Sequence, residues 1–180
     1  MPMQHGSALL ILDMINPFGF PGGGASLRAA KRIAPIVHEL ARRQRRRGAP
    51  CIYVNDNFGR WQSDLRSLLE AVSKTKGSAI LEWLVPREGD LFVLKPRHSA
   101  FYQTPLPSLL EARGIRSLRI CGTETDSCVM ATAMDAHMRE YRVHVPSNAA
   151  SSGSRARHRA ALLLMRHNGI DTRAWPSRRR

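Results

Sequence analysis

Short, almost uninterrupted apolar runs alternate with longer amphipathic stretches along this chain, and that alternation leaves few folds open. The runs fall at residues 8–12, 51–54, 91–94, 118–121 and 141–145, with a possible sixth at 172–175. Amphipathic segments lie between them at 26–47, 63–72, 105–113, 127–140 and 154–168, with a short helix expected around 79–84. Strands that are apolar on both faces must be covered on both faces, which argues for a parallel sheet between two layers of helices. Ser26 is a candidate N-cap, and Gly48-Ala49-Pro50, Gly114 and Gly169 are stop signals. The expectation is one Rossmann-like three-layer α/β/α domain over residues 1–180, with a five- or six-stranded, mostly parallel sheet and a basic tail at about 176–180.

At 180 residues the chain can bury one good core and is short for two. No stretch approaches the roughly 20 apolar residues needed to cross a bilayer, and the first residues lack the pattern of a secretory leader. Three cysteines without framework spacing point to a reducing compartment, so a cytoplasmic protein is expected. The net charge of +14 invites a nucleic-acid reading. Lysine occurs only at 31, 74, 76 and 95, however, and the densest cluster, Arg42-Arg43-Gln44-Arg45-Arg46-Arg47, closes a helix whose dipole favours cations there. No aromatic interleaving or nucleic-acid motif accompanies the arginines, so a solvated basic surface without a specific nucleic-acid partner is expected.

In an open parallel sheet, chemistry gathers beyond the carboxyl ends of the strands. Three reactive groups fall there: Asp13 after the first strand, Lys95 after the third and Cys128 after the fourth. Cys128 follows a break at Gly122 and opens an apolar helix, where free N–H groups and the macrodipole favour thiolate. Asp126 and Ser127 are expected to cap that helix. Cys51 and Cys121 lie inside apolar strands and read as inert small hydrophobes.

Three segments carry a resemblance: Leu10-Ile11-Leu12-Asp13-Met14-Ile15-Asn16-Pro17-Phe18, Val93-Leu94-Lys95-Pro96-Arg97-His98-Ser99-Ala100-Phe101 and Gly122-Thr123-Glu124-Thr125-Asp126-Ser127-Cys128-Val129. In this order and spacing the chain resembles the isochorismatase-like cysteine hydrolases, which include nicotinamidases, N-carbamoylsarcosine amidohydrolases and ureidoacrylate hydrolases. The resemblance implies a catalytic triad of Asp13, Lys95 and Cys128 that cleaves a C–N bond of a small amide, ureide or carbamoyl compound through a thioester. It also implies a non-proline cis peptide at Thr123–Glu124, with the N–H groups of Glu124 and Cys128 receiving the oxyanion. Phe18, His98, Phe101 and Trp61 are the candidate substrate contacts, with Arg60 beside Trp61 at the mouth. Relatives assemble as dimers or tetramers, so a homo-oligomer is expected.

The departures also inform. Metal-dependent nicotinamidases carry Asp-Xaa-His after the second strand, whereas here Asp56-Asn57-Phe58 puts phenylalanine at the histidine position. No histidine occurs between His38 and His98, so neither a metal nor any other cofactor is expected. Ile15 replaces the glutamine usual two residues after the aspartate, and Glu124 stands where a small apolar residue is more common. Two other readings use the same residues: a thiol-redox protein, although no Cys-Xaa-Xaa-Cys pair supports it, and a non-catalytic or polyanion-binding member of the same fold.

Overall fold

A computed structural model describes residues 6–60 and 64–176. In chain order the elements are β1 (Gly6–Leu12), α1 (Gly23–Arg46), β2 (Cys51–Asp56), α2 (Leu65–Ser73), α3 (Ser78–Leu81) and β3 (Leu91–Lys95). There follow α4 (Leu106–Ala112), β4 (Ile115–Thr123), a π-helical turn (Thr125–Val129), α5 (Met130–Met138), β5 (Arg142–His144), β6 (Ala150–Ser151) and α6 (Arg155–His167). All strand pairs are parallel, in the order β3-β2-β1-β4-β5, and β6 pairs the end of β4.

The period of two along each strand sends alternate side chains to two separate cores. Leu9, Ile11, Cys51, Tyr53 and Cys121 face one side, where Ala30, Val37 and Leu40 of α1, Leu68 and Val72 of α2, and Ile80 of α3 cover them. Leu10, Leu12, Ile52, Val54 and Ile120 face the other, under Leu110 of α4, Ala133 of α5 and Met165 of α6. From Ala8 to Leu12 both faces of β1 are buried, as expected of a central parallel strand. Truncating Leu10 or Ile11 to alanine would cost about 2–5 kcal/mol.

Three local expectations are corrected. Helix α1 begins at Gly23 after Gly22 in the left-handed region, so Ser26 is a buried residue of its first turns and not its cap. Residues 172–175 form no strand; Asp171 makes a single bridge to His144, and Asn148 takes both backbone groups of Trp175 through its side chain, at 2.9 Å each. The sixth strand is instead β6, and β5 and β6 serve successive stretches of the same β4 edge. The arginine run at the end of α1 is also more structural than a solvated surface. Arg42 and Arg43 grip Glu39, and Arg45 reaches the buried Asp90 carboxylate at 2.6 Å.

Candidate active site

β1, β2, β3 and β4 all end at the same edge of the sheet, and each end contributes one piece of the site. Asp13 follows β1 with φ 50, a left-handed conformation that aspartate tolerates better than most side chains. Its backbone is pinned from both neighbours: its N–H donates to Val54 at 2.9 Å and its carbonyl accepts the Thr123 hydroxyl at 3.2 Å. Lys95 ends β3, two strands away, with its side chain completely buried. The ammonium reaches 2.9 Å from Asp13 Oδ2 and 3.4 Å from Cys128 Sγ. Asp56, at the end of the intervening β2, bridges this span. Its N–H donates to Asp13 Oδ1 at 2.8 Å and its carboxylate lies 3.9 Å from Lys95 Nζ.

Gly122 lets β4 come this close. Its φ is +118, and a Cβ there would overlap the backbone carbonyl of Leu12 on the neighbouring strand. Immediately after it, the Thr123–Glu124 peptide is cis. Cys128 then sits within the π turn, in which Val129 N–H bonds the Glu124 carbonyl five residues back at 3.1 Å. Such widened turns are frequent at functional sites.

Neither Asp126 nor Ser127 caps this turn. Asp126 accepts the Ser152 hydroxyl and pairs with Arg157 at 3.1 Å, while Ser127 Oγ lies 3.2 Å from His98 Nδ1. Glu124 accepts the N–H of Gly153 at 2.7 Å through one carboxylate oxygen, and its other oxygen is buried without a hydrogen-bond partner among the described residues.

Electrostatics also correct the thiolate expectation. Burial, reinforced by the Asp13 charge and only partly offset by Lys95, pushes the Cys128 thiol up to about 12. The free site therefore holds a thiol. Burial pulls the Lys95 ammonium down, but Asp13, Cys128 and Asp56 outweigh it and leave it above the usual lysine value. Asp13 Oδ2, although 2.9 Å from Lys95 Nζ, accepts no hydrogen bond of good geometry among the described residues. That oxygen thus keeps a lone pair that no well-aligned donor occupies among the described residues.

His98 is drawn into the site, with Nδ1 3.7 Å from Cys128 Sγ. The two phenylalanines behave differently. Phe18 is 7% exposed, its ring packed in the α1-side core, and Phe101 is 3% exposed, stacked near Tyr141 on the opposite side. Their apolar bulk packs in the cores, and neither lines the cleft beside the site. Trp61 lies outside the described residues. Cys51 and Cys121 are buried, and burial pushes both thiols up, as expected for inert positions.

A cleft of about 730 Å³ adjoins the carboxyl edge, between the β1–α1 and β2–α2 connections. Asn16, Phe20, Asn57, Phe58 and Arg60 line it, and Asp13, Lys95 and Cys128 do not. It shares backbone with the site through Asn57, whose N–H donates to the Lys95 carbonyl at 3.1 Å. Phe58, at the position where metal-dependent relatives would carry histidine, is 42% exposed, and Asp56 Oδ1 is occupied by the Phe58 N–H at 2.6 Å. No group of three or more His, Cys, Asp or Glu side chains among the described residues could hold a metal. The residues present do not fit that metal site.

Sequence reasoning missed Asp56 as a partner of the buried ammonium. A carboxylate at the end of β2, in register with Lys95, was the available signal. It also missed Thr123 as the support of Asp13, and nothing in the local sequence marks that contact.

Comparison with known proteins adds the frame. Residues 7–176 match the Isochorismatase domain. An uncharacterized isochorismatase family protein, YaaI of Bacillus subtilis, is 37% identical over 88% of this chain and 87% of its own length. The ureidoacrylate amidohydrolase RutB of Methylobacterium radiotolerans is 32% identical over 86% of this chain and 70% of its own. The crystal structure of an isochorismatase family protein from Desulfovibrio vulgaris superposes with a TM-score of 0.76 at 28% identity, covering 95% of each chain. The matched domain and the shared fold agree, and this chain belongs to the isochorismatase family.

Proposed function

We infer that the chain is a cysteine hydrolase that cleaves a C–N bond in a small amide, ureide or carbamoyl compound, with Asp13, Lys95 and Cys128 as its triad. The observation that carries this is the buried ammonium, 2.9 Å from a carboxylate and 3.4 Å from a thiol, all at the end of the sheet where ligands bind. The amidohydrolase relative supports the bond class.

In this reading Cys128 Sγ attacks the carbonyl carbon while its proton passes to Asp13 Oδ2, the open acceptor beside it. The protonated form of the thiol in the free site makes this transfer part of the attack and not a prior step. Lys95 stabilises the sulfur's developing charge and fixes the Asp13 carboxylate. The N–H groups of Glu124 and Cys128 receive the oxyanion. Asp13 returns the proton to the leaving nitrogen, which departs as amine or ammonia. Water, deprotonated by Asp13, then attacks the thioester, and the departing sulfur takes that proton back. His98 would contact the substrate, a role supported by its Nδ1 lying 3.2 Å from Ser127 Oγ and 3.7 Å from Cys128 Sγ.

A panel of small amides, ureides and carbamoyl compounds, assayed for ammonia release, tests the reading. At least one should be turned over, and Cys128→Ala should abolish that turnover with its melting temperature retained. Full activity in the folded Cys128→Ala protein would refute it. A second reading, a non-catalytic member, draws on the protonated thiol; it predicts no turnover across the panel. We also take the chain to be a homo-oligomer. Met138 on α5 and Leu163 and Leu164 on α6 support this, since they are 74%, 63% and 53% exposed.

A further inference from the structure

Apart from the cleft at the carboxyl edge, a second recess of about 360 Å³ opens where α1, β6 and α6 meet. Its size falls within the about 300–1,000 Å³ typical of small-ligand sites. Arg32 and Ile33 of α1, Ser151 of β6, and Arg155, His158 and Arg159 of α6 line it. Positions 155, 158 and 159 share one helix face because steps of three and four residues bring side chains together. Three arginines and a histidine thus line the recess, with no carboxylate among its lining residues.

Several arginines of this chain are held by carboxylates: Arg42 and Arg43 by Glu39, Arg45 by Asp90, Arg139 by Asp135, and Arg157 by Asp126. Arg155, Arg159 and Arg32 form no ion pair among the described residues, and Arg32 donates only to the Arg28 carbonyl, at 3.2 Å. Cations around one recess repel each other, and an anion between them reverses the sign of that interaction. Two buried or half-buried groups add polar capacity. The Ser151 hydroxyl is buried with no hydrogen-bond partner among the described residues, an uncommon state for a polar atom. His158 is held through Nδ1 by the Thr125 hydroxyl at 2.9 Å, which orients its ring.

We propose that this recess binds a phosphate group, either free phosphate or the phosphomonoester of a small metabolite. Phosphate fits better than a carboxylate because its charge approaches two and its three terminal oxygens can be shared among several guanidinium forks. The site is separate from the triad, yet Thr125 opens the turn that carries Cys128. A bound phosphate would lie one hydrogen bond from that turn.

Isothermal titration of the full chain with inorganic phosphate and with glycerol 3-phosphate, against sodium chloride at matched ionic strength, tests the proposal. The expected result is saturable binding at one site per chain, weakened at least tenfold in Arg155→Ala/Arg159→Ala and unchanged in Arg116→Ala. Arg116 is an equally exposed arginine near the opposite end of β4. Tighter binding of the ester identifies a metabolite as the source, and equal binding identifies free phosphate. Arg155 and Arg159 are exposed, so their removal leaves the cores intact; Arg32→Ala on α1 should reproduce the loss independently. Equal weakening by Arg116→Ala would overturn the site in favour of diffuse charge. So would the absence of saturable phosphate binding, including the case where only an oligonucleotide binds, with steep salt dependence.

Discussion

Replacing Lys95 by methionine nearly keeps the volume of the side chain, shortens it by one atom and removes its ammonium. Lys95 is fully buried, and its ammonium lies 2.9 Å from Asp13, itself 5% exposed. Breaking such a pair from one side leaves a buried carboxylate without its cation, which costs about 3–5 kcal/mol. The Asp56 contact adds little, since it is longer at 3.9 Å and that side chain is 35% exposed. For a chain of this size each kcal/mol lowers the melting temperature by roughly 2–4 °C, so Lys95→Met should melt roughly 6–20 °C below the parent at pH 7. Adding Asp13→Asn removes the stranded charge while keeping an oxygen to accept the Asp56 N–H. The double variant should therefore be more stable than Lys95→Met alone, a coupling that a double-mutant cycle reads directly. Urea unfolding monitored by tryptophan fluorescence gives the free energies. A Lys95→Met protein within 1 kcal/mol of the parent, or two substitutions whose costs simply add, would refute the buried ion pair as a unit.

The remaining expectations follow from single features. Because burial pushes the Cys128 thiol up to about 12, its alkylation by iodoacetamide should be slow at pH 8 and keep rising through pH 10; a plateau below pH 8 would contradict this. The linked stability has a definite sign. The folded state keeps that proton where the unfolded thiol has lost it, so stability falls between about pH 9 and 12, and Cys128→Ala should flatten part of that fall. Gly122→Ala should cost more than about 3 kcal/mol or prevent soluble folding, because its φ is positive and the new methyl meets the Leu12 carbonyl; circular-dichroism melting measures it. Leu163→Glu with Leu164→Glu should shift light-scattering mass toward the monomer while leaving the melting curve cooperative.

Strands apolar on both faces made the layered sheet legible, because a buried parallel strand leaves no polar face to confuse the period. Asp13, Lys95 and Cys128 were legible for a related reason: strand ends converge whatever the loops do. Features that depend on side chains from distant segments were not. The cap of α1 is a left-handed glycine and not the expected serine, and residues 172–175 miss the sheet because Asn148 claims the Trp175 backbone. Position in a helix suggested a thiolate at Cys128, but burial and the Asp13 charge, which only the tertiary arrangement supplies, reverse it. That Phe18 and Phe101 pack into the cores was equally hidden, because apolar loop residues look alike until a core claims them.

The side-chain ties of Glu124, Thr125 and Asp126, which lead into Cys128, all come from later in the chain. Asp126 is gripped by Ser152 and Arg157, Glu124 by Gly153 and Thr125 by His158. A growing polypeptide that has emerged only as far as β5 carries the acid, the ammonium and the sulfur, yet lacks every one of these anchors. The turn around Cys128 can therefore settle only once residues 152–158 have emerged, and a ribosome-bound fragment ending at β5 holds its cysteine in an unassembled setting.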